Sequence, residues 1–280
     1  MGLVNGQELI QECVNRGVVA GAFNTTNLET TLGIVAAVEQ TGIPTFIQVA
    51  PTNVTISGYD YIEDMVRRRA ASTSIPIALH LDHGRTLDDV AGALAANFTS
   101  IMLDASAYDY EENVRLSRAA RAMCPEGVAL ETELGSIGGK EDDVAPEFAA
   151  MTDPDQAADF VEATGTDMLA VSVGNVHGYA PDVRIDFELL RRVQQQCPVP
   201  LVIHGASGLP AEDLSVLRDY GVVKVNVASD LRNAMIKAFG EAYERNKQEN
   251  SLIKVSSAAV DVITETVIAK IRQLNPGLAS

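Results

Sequence analysis

The chain has 280 residues, 46% of them hydrophobic and 21% charged, and a formal net charge of −17. This acidity argues against a nucleic-acid-binding protein, because phosphate backbones are held by clusters of Lys and Arg. The sequence has no run of about 18 apolar residues that would predict a membrane span, and its opening MGLVNGQELI lacks the basic and apolar regions of a signal peptide. Three scattered cysteines fit a reducing compartment, so we expect a cytoplasmic protein without nucleic-acid or membrane partners.

Eight short apolar runs, rich in β-branched residues, recur along the chain. Most are continuous rather than alternating, which is typical of strands buried on both faces of a parallel sheet. In chain order they are VVAGAFNT from residue 18, PTFIQVA from 44, PIALHLD from 76, SIMLDAS from 100, ALETELG from 129, MLAVSVG from 168, PLVIHGA from 200 and VVKVNVA from 222.

Amphipathic segments of helical period lie between these runs, at residues 27–42, 86–98 and 153–165. Eight strand–helix units predict an α/β fold, a (β/α)8 TIM barrel that forms a single domain over residues 1–280. Helices at 230–247 and about 256–273 are expected to close it. A doubly wound sheet would favour a glycine-rich turn after the first strand, and AFNTTNLET has no glycine there, so the sequence favours the barrel.

In such a barrel, active-site residues lie where each strand meets the loop that follows it. Three of the four histidines lie at such positions: His83 after the third strand, His177 after the sixth and His204 at the end of the seventh. Three imidazoles are a ligand set for catalytic zinc, which keeps a fourth position open for substrate. A single histidine at a strand end is more often structural, so this interpretation depends on the barrel. His80 lies deeper, on the same strand face as Asp82, and is predicted to be a hydrogen-bonded core residue.

Carboxylates gather at the same predicted rim. Spacing alone leaves three roles open for Asp82: a metal ligand, a hydrogen-bond partner of a metal ligand, or a general acid/base. Asp104 ends the fourth strand, and Glu131 and Glu133 share one face of the fifth. Buried carboxylates repel one another unless a cation compensates them, which favours a metal site. The alternative is that one or two of them bind loop amides or lie in solvent, most readily Glu131.

Two late loops have the character of anion-binding turns. HGASG, at 204–208, follows the seventh strand, and NVAS, at 226–229, ends the eighth just before a helix. Backbone N–H groups of these two loops form the phosphate site of many barrels, and small side chains let a ligand approach the backbone. The pair therefore predicts a phosphate-binding site.

Five motifs together resemble one family. The motifs are ALHLDHG, ETELGSIGGKEDD, GNVHG, LVIHGASGLP and GVVKVNVASDLRNA. They resemble the class II, zinc-dependent ketose-bisphosphate aldolases of the fructose- and tagatose-bisphosphate type. The resemblance runs from about residue 3 to 240. The resemblance implies a lyase of carbohydrate metabolism and glycolysis. Such an enzyme reversibly cleaves fructose or tagatose 1,6-bisphosphate to dihydroxyacetone phosphate and an aldehyde. The resemblance also implies a homodimer or homotetramer.

The resemblance implies that His83, His177 and His204 bind the catalytic zinc. Zinc suits the chemistry, because cleavage beside a ketone leaves an enediolate whose charge a Lewis acid stabilises by on the order of several kcal/mol. The alternative chemistry forms a Schiff base with a lysine. Lys224 is the one strand lysine available, and the intact zinc set makes that route unnecessary.

Further roles follow from the same resemblance. Asp82 matches the acid/base for the C4 hydroxyl proton, and Glu141, in the GGKEDD loop, matches the group that exchanges a proton with C3 of dihydroxyacetone phosphate. Asp104 and Glu133 match positions that can hold a second or displaced divalent ion. Whether the enzyme also uses a monovalent cation stays open. The residues matched to the dihydroxyacetone-phosphate site are Asn24, Gly178, Gly205, Ala206, Ser207, Asn226, Val227, Ala228 and Ser229.

Three departures from the family pattern bear on the substrate. Ala50 stands where the family usually has Ser, Ser257 stands where it commonly has Arg, and no Lys follows GNVHG before Arg184. The hypothesis is that the distal half of the substrate is unphosphorylated or is held by other groups, such as the arginines at 67–69 or Arg232. Charge-assisted hydrogen bonds are the strong ones, so these losses matter for a dianion.

Three alternative functions stay open. The first is an aldolase for a ketose 1-phosphate or another ketose without the usual distal phosphate. The second is a non-catalytic sugar-phosphate-binding protein, since fold alone does not determine function. The third is a metal-dependent epimerase or isomerase, which the GGKEDD loop disfavours.

Overall fold

A computed structural model describes residues 2–139 and 149–278, and in this part of the chain eight parallel strands close into a barrel. Each strand pairs with its neighbours in sequence, and the last pairs with the first, Ala22 lying beside Asn226. The (β/α)8 prediction is confirmed. The strands are β1 (Ala20–Asn24), β2 (Thr45–Val49), β3 (Ile77–Gly84), β4 (Ser100–Leu103), β5 (Ala129–Leu134), β6 (Met168–Val171), β7 (Leu201–Ile203) and β8 (Val222–Val227).

Helices connect the strands and surround them. The α-helices are α1 (Gly6–Arg16), α2 (Leu28–Thr41), α3 (Tyr59–Ala70), α4 (Leu87–Ala95), α5 (Tyr110–Met123), α6 (Ala157–Thr164), α7 (Phe187–Gln196), α8 (Ala211–Leu214), α9 (Ser229–Arg245) and α10 (Leu252–Leu274). Short 3₁₀ helices cover Pro51–Thr55, Pro154–Gln156, Ala206–Gly208 and Leu217–Tyr220. In the described residues no helix is long and apolar enough to cross a membrane.

Local sequence explains where the helices begin. The side chain of Asn27 accepts a hydrogen bond from the backbone N–H of Thr30 at the start of α2, and Thr86 does the same for Asp89 in α4. These caps satisfy N–H groups that the first turn leaves without partners. The helices predicted at 27–42 and 86–98 are confirmed, with the second ending three residues early because α4 ends at Ala95.

The N-terminal segment covers one end of the barrel. Backbone N–H groups of Val4, Gly6 and Gln7 donate to carbonyls at or just before the amino ends of β3, β4 and β5. Leu9 and Cys13 of α1 are fully buried against that end. The carboxyl ends of the strands, where the polar residues were predicted, therefore form the opposite and more accessible end.

Candidate active site

His83 lies near the end of β3 in a backbone conformation that few residues adopt. Its φ is +48°, in the left-handed region, and the pairing register between β3 and β4 shifts between Leu81 and Gly84. Such strain costs on the order of 1–3 kcal/mol and is typical of functional sites. The imidazole is nearly buried, and its Nδ1 lies 2.9 Å from Asp104 Oδ2 at the end of β4.

His177 is positioned by a small element that the sequence did not predict. Residues Val176–His177 pair with Gly138–Gly139, which follow β5, as a two-stranded parallel sheet. A Cβ on Gly139 would lie 2.3 Å from the carbonyl oxygen of His177, and its φ is +95°. Glycine is therefore required for the two segments to meet.

His204 directly follows β7 and is fully buried. The next residue, Gly205, has a φ of +71°, and a Cβ there would lie 2.0 Å from the carbonyl oxygen of Val176. Gly205 thus lets the loop that carries His204 approach the segment that carries His177.

Gly205→Ala is expected to weaken zinc binding by at least about tenfold, because the His204 loop must move away from Val176. Zinc affinity measured by competition with a chromogenic chelator checks this. Gly17→Ala is the matched control: Gly17 also has a positive φ, of +60°, but nothing lies within 4 Å of its Cβ position. That variant should lose about 1 kcal/mol of stability with unchanged zinc affinity. Equal zinc affinities for the two variants would contradict the expectation.

The structure brings the three predicted histidines together. Ring centroids lie 4.9 Å apart for His83 and His177, 4.6 Å for His83 and His204, and 5.9 Å for His177 and His204. One nitrogen from each lies within 4.8 Å of the others. They come from the end of β3, from the segment after β6 and from the residue after β7, so the convergence is produced by the barrel.

The hydrogen-bond partners of two of these rings would leave lone pairs facing each other when both rings are neutral. A carboxylate only accepts hydrogen bonds, so Asp104 sets His83 Nδ1 as a donor, and Glu131, 2.7 Å from His204 Nε2, sets that nitrogen as a donor. The remaining nitrogens, His83 Nε2 and His204 Nδ1, lie 2.8 Å apart. Burial, with a smaller effect of His83, lowers the pKa of His204 to about 4, so the ring is neutral at pH 7. Two facing lone pairs fit a bound cation better than a hydrogen bond, and imidazole nitrogens suit zinc.

A second acidic cluster adjoins His83. Ligand atoms of His83, Asp104 and Glu133 lie within 4.8 Å of one another. Burial, followed by the nearby Asp104 charge, raises the pKa of Glu133 to about 8. For Asp104, burial acts in the same direction, but the hydrogen bond and charge of His83 outweigh it and hold the pKa below its usual range. These three side chains form a group whose geometry could hold a metal ion.

Asp82 is held by three side-chain amides. Asn226 Nδ2 donates to Oδ1 at 2.9 Å, while Asn24 Nδ2 and Gln48 Nε2 donate to Oδ2 at 2.9 and 3.0 Å. The donors come from β8, β1 and β2, so three other strands fix the position of Asp82. Asn24, matched to the substrate site, here contacts Asp82. Oδ1 lies 3.9 Å from His83 Nε2, which places the carboxylate beside the histidine cluster.

A fully buried layer lies below the histidines. Glu131 Oε2 lies 2.8 Å from Lys224 Nζ and 3.5 Å from His80 Nε2, and the three side chains come from strands that are not neighbours. The alternative that Glu131 lies in solvent is wrong, because its exposed fraction is 0%. Burial by itself raises the pKa of Glu131, but the Lys224 charge and the His204 hydrogen bond outweigh it, so the pKa is below its usual range.

The same layer explains two other residues. Lys224 also donates to Asn226 Oδ1 at 2.6 Å, so its ammonium group is tied to Glu131 and Asn226 and not positioned as a free nucleophile. His80 lies 2.7 Å from Ser100 Oγ, and burial followed by the Lys224 charge lowers its pKa. The prediction that His80 is a core residue is confirmed.

A small cradle next to His177 collects most residues of the predicted dihydroxyacetone-phosphate site. It is lined by Gly178, Gly205, Ser207, Asn226, Ala228 and Ser229, together with His177 and Arg232. Ala206 and Val227 are fully buried, so their side chains belong to the core. The backbone N–H of Asp230, in the first turn of α9, donates to Ser207 Oγ at 3.2 Å and joins the two loops. Glu141 lies outside the described residues.

Groups considered for the distal half of the substrate lie in different places. Ala50 is nearly buried beside the His83 region, whereas Ser257 is exposed on α10. Arginines 67–69 on α3 are paired with carboxylates of Glu63, Asp64 and Glu39. Arg232 lines the cradle at the other end of the histidine cluster.

Comparison with known proteins agrees with this geometry. The family model described as class-II fructose-bisphosphate aldolase matches residues 4–276. The chain belongs to the class II fructose-bisphosphate aldolase family. It is an enzyme, a lyase of the aldolase type, and the resemblance inferred from the motifs is confirmed.

Relatives of this aldolase match over nearly their whole length. The fructose-bisphosphate aldolases of Geobacillus stearothermophilus and Staphylococcus epidermidis are each 34% identical over 278 residues, 98% of this chain and 97% of each relative. The crystal structure of the YdjI aldolase from Escherichia coli K12 is similar with a TM-score of 0.85 and 30% identity, covering 99% of this chain and 100% of that one.

Proposed function

We propose that the enzyme reversibly cleaves fructose or tagatose 1,6-bisphosphate to dihydroxyacetone phosphate and an aldehyde, using zinc held by His83, His177 and His204. The observation that supports this most is the close approach of His83 Nε2 and His204 Nδ1, 2.8 Å apart, beside the fixed carboxylate of Asp82. Zinc bound there would act as a Lewis acid on the ketone. Class II aldolases in general are zinc-dependent.

The chain's own residues account for the remaining requirements. Asp82 takes the proton of the C4 hydroxyl during cleavage and returns it in the reverse direction, and Glu141 exchanges a proton at C3. The cradle beside His177 binds the phosphate of dihydroxyacetone phosphate through backbone N–H groups at the start of α9. A second divalent ion is proposed between Asp104 and Glu133. A cytoplasmic location and a homodimer or homotetramer remain predictions.

A second candidate substrate class is a ketose 1-phosphate without the distal phosphate. Ala50 favours it, because this nearly buried residue offers no hydroxyl beside the His83 region. The alternative of a non-catalytic binding protein does not agree with membership of this enzyme family, and the three amides that orient Asp82 suit a catalytic carboxylate.

Removal of metal with a chelator is expected to lower release of dihydroxyacetone phosphate at least about 100-fold. Glycerol-3-phosphate dehydrogenase and NADH measure the product, with fructose 1,6-bisphosphate, tagatose 1,6-bisphosphate and fructose 1-phosphate as substrates. Zinc should restore the rate. Undiminished release after chelation, with zinc absent by elemental analysis, would contradict the metal role. No release from any of the three ketoses by zinc-loaded enzyme would contradict the proposed function.

A further inference from the structure

The interior of the barrel holds a buried lysine that the proposed function does not use. Lys224 of β8 is fully buried, and its ammonium lies 2.8 Å from Glu131 Oε2 and 2.6 Å from Asn226 Oδ1. Glu131 is fully buried as well. A buried ion pair is often no more stable than two apolar residues of similar volume, because desolvation of the charges offsets their attraction. The Lys224–Glu131 pair therefore points to a role other than stability.

Glu131 accepts hydrogen bonds from two donors at once. Its Oε1 lies 2.7 Å from His204 Nε2, and its Oε2 is bound to Lys224. A carboxylate offers an oxygen to each donor, whereas the amide of a glutamine has one oxygen and one NH₂ group. The carboxylate thus keeps the proton of His204 on Nε2 while it holds the lysine. Nδ1 of His204 then has the lone pair that a metal ion needs.

The second contact of Lys224 leads to Asp82. An ammonium group only donates, so the Asn226 side chain presents its oxygen to Lys224 and its NH₂ group to the other side. There Asn226 Nδ2 donates to Asp82 Oδ1 at 2.9 Å and lies 3.2 Å from His204 Nδ1. One buried cation therefore supports two chains of contacts. The first runs through Glu131 to His204, and the second runs through Asn226 to Asp82.

We propose that Lys224 and Glu131 are positioning residues for the aldol reaction. Glu131 fixes the proton of His204 on Nε2, which leaves Nδ1 available to zinc. Lys224 anchors Glu131 and Asn226, and through Asn226 it holds the carboxylate of Asp82. The inference rests on the proposed function and extends it by two residues that act through the groups of that site.

Histidine-selective ¹⁵N NMR of the metal-free wild-type enzyme tests the proton position directly. The chemical shifts of the two ring nitrogens show which of them carries a proton, and comparison with His204→Gln identifies the signals of His204. At neutral pH the proton is expected on Nε2 alone. A proton on Nδ1 would overturn the inference, and this measurement decides it even where a variant does not fold.

Glu131→Gln should lower zinc affinity about 10- to 100-fold, the usual effect of removing a partner of a metal-binding histidine. Its one oxygen is taken by Lys224, so His204 faces an NH₂ group and carries its proton on Nδ1 instead. Adding Lys224→Met frees that oxygen for His204. The double variant should therefore regain a zinc affinity within about threefold of the wild type, because donors and acceptors match again. Competition with a chromogenic chelator measures zinc affinity, and the absorption spectrum of cobalt(II)-substituted enzyme reports the ligand set.

Catalysis should not recover together with zinc. In Lys224→Met/Glu131→Gln the oxygen of Asn226 has lost its donor, so Asp82 is held less firmly. The zinc-loaded double variant should keep a kcat at least about 10-fold below that of the wild type, while KM for the ketose changes less than about threefold. A merely structural pair would instead lower the thermal stability of the metal-free variants and leave their zinc affinity unchanged.

Arg121→Met/Asp167→Asn is the control variant. It also neutralises an ion pair, with atoms 2.7 Å apart, but Asp167 directly precedes β6 at the amino end of the strands. Its zinc affinity should equal that of the wild type. Unchanged zinc affinity in Glu131→Gln, or a double variant that binds zinc no better than Glu131→Gln, would overturn the inference alone. Wild-type enzyme that binds no zinc would overturn the proposed function and the inference with it.

Discussion

Replacement of His83 with alanine is expected to remove stoichiometric zinc and to lower kcat at least about 1,000-fold, since a Lewis acid contributes several kcal/mol to such a reaction. Removing His83 takes away one of the two facing nitrogens and also the partner of Asp104. His204 cannot use its other nitrogen instead, because Nε2 is bound to Glu131. Elemental analysis of zinc per chain and a steady-state assay measure the two effects.

His80 provides the matched control for this prediction. It is at least as deeply buried as the three proposed zinc ligands and contacts Ser100 and Glu131, but it lies in the layer below the cluster. His80→Gln should therefore lower thermal stability while folded molecules keep one zinc each. Stoichiometric zinc in His83→Ala, or zinc loss of the same size in both variants, would contradict the assignment of His83 as a ligand.

The barrel could be predicted from sequence because each buried strand carries its own signal. Eight apolar runs, most of them continuous, were sufficient to predict the eight strands. The barrel then places the histidines near the strand ends at one rim. The two-residue pairing of Gly138–Gly139 with Val176–His177 could not be predicted, since two residues have no periodicity. Positive φ values at Gly139 and Gly205 are visible only in the structure, although glycine at both places was a usable signal.

Burial and pairing of charged residues were harder to predict. The sequence leaves open that Glu131 lies in solvent, yet it is fully buried and paired with Lys224 from a distant strand of the barrel. The sequence offers the arginines at 67–69 as partners for the distal half of the substrate, yet each has a carboxylate partner in the structure. A sequence records which residues are charged, and whether a charge is free depends on contacts between distant elements.

Asp82→Asn is expected to lower cleavage about 100- to 10,000-fold while zinc is retained, because the variant cannot accept the C4 hydroxyl proton. The amide has nearly the shape of the carboxylate. Its NH₂ group, however, must face one of the donors from Asn24, Gln48 or Asn226, which costs about 1–3 kcal/mol of stability. Thermal unfolding and zinc content separate this structural effect from the loss of proton transfer.

Hydrogen exchange at C3 of dihydroxyacetone phosphate distinguishes Asp82 from Glu141. In deuterium oxide, NMR should show that Asp82→Asn still exchanges this hydrogen, because Asp82 serves the C4 hydroxyl and cleavage alone requires it. Glu141→Gln is the matched variant, with the same loss of a carboxylate, and it should lose exchange. Loss of both exchange and cleavage in Asp82→Asn, with zinc present, would mean that one carboxylate serves both protons. The three amides around Asp82 argue against that, since they hold its oxygens in place rather than leave them free to move between two carbons.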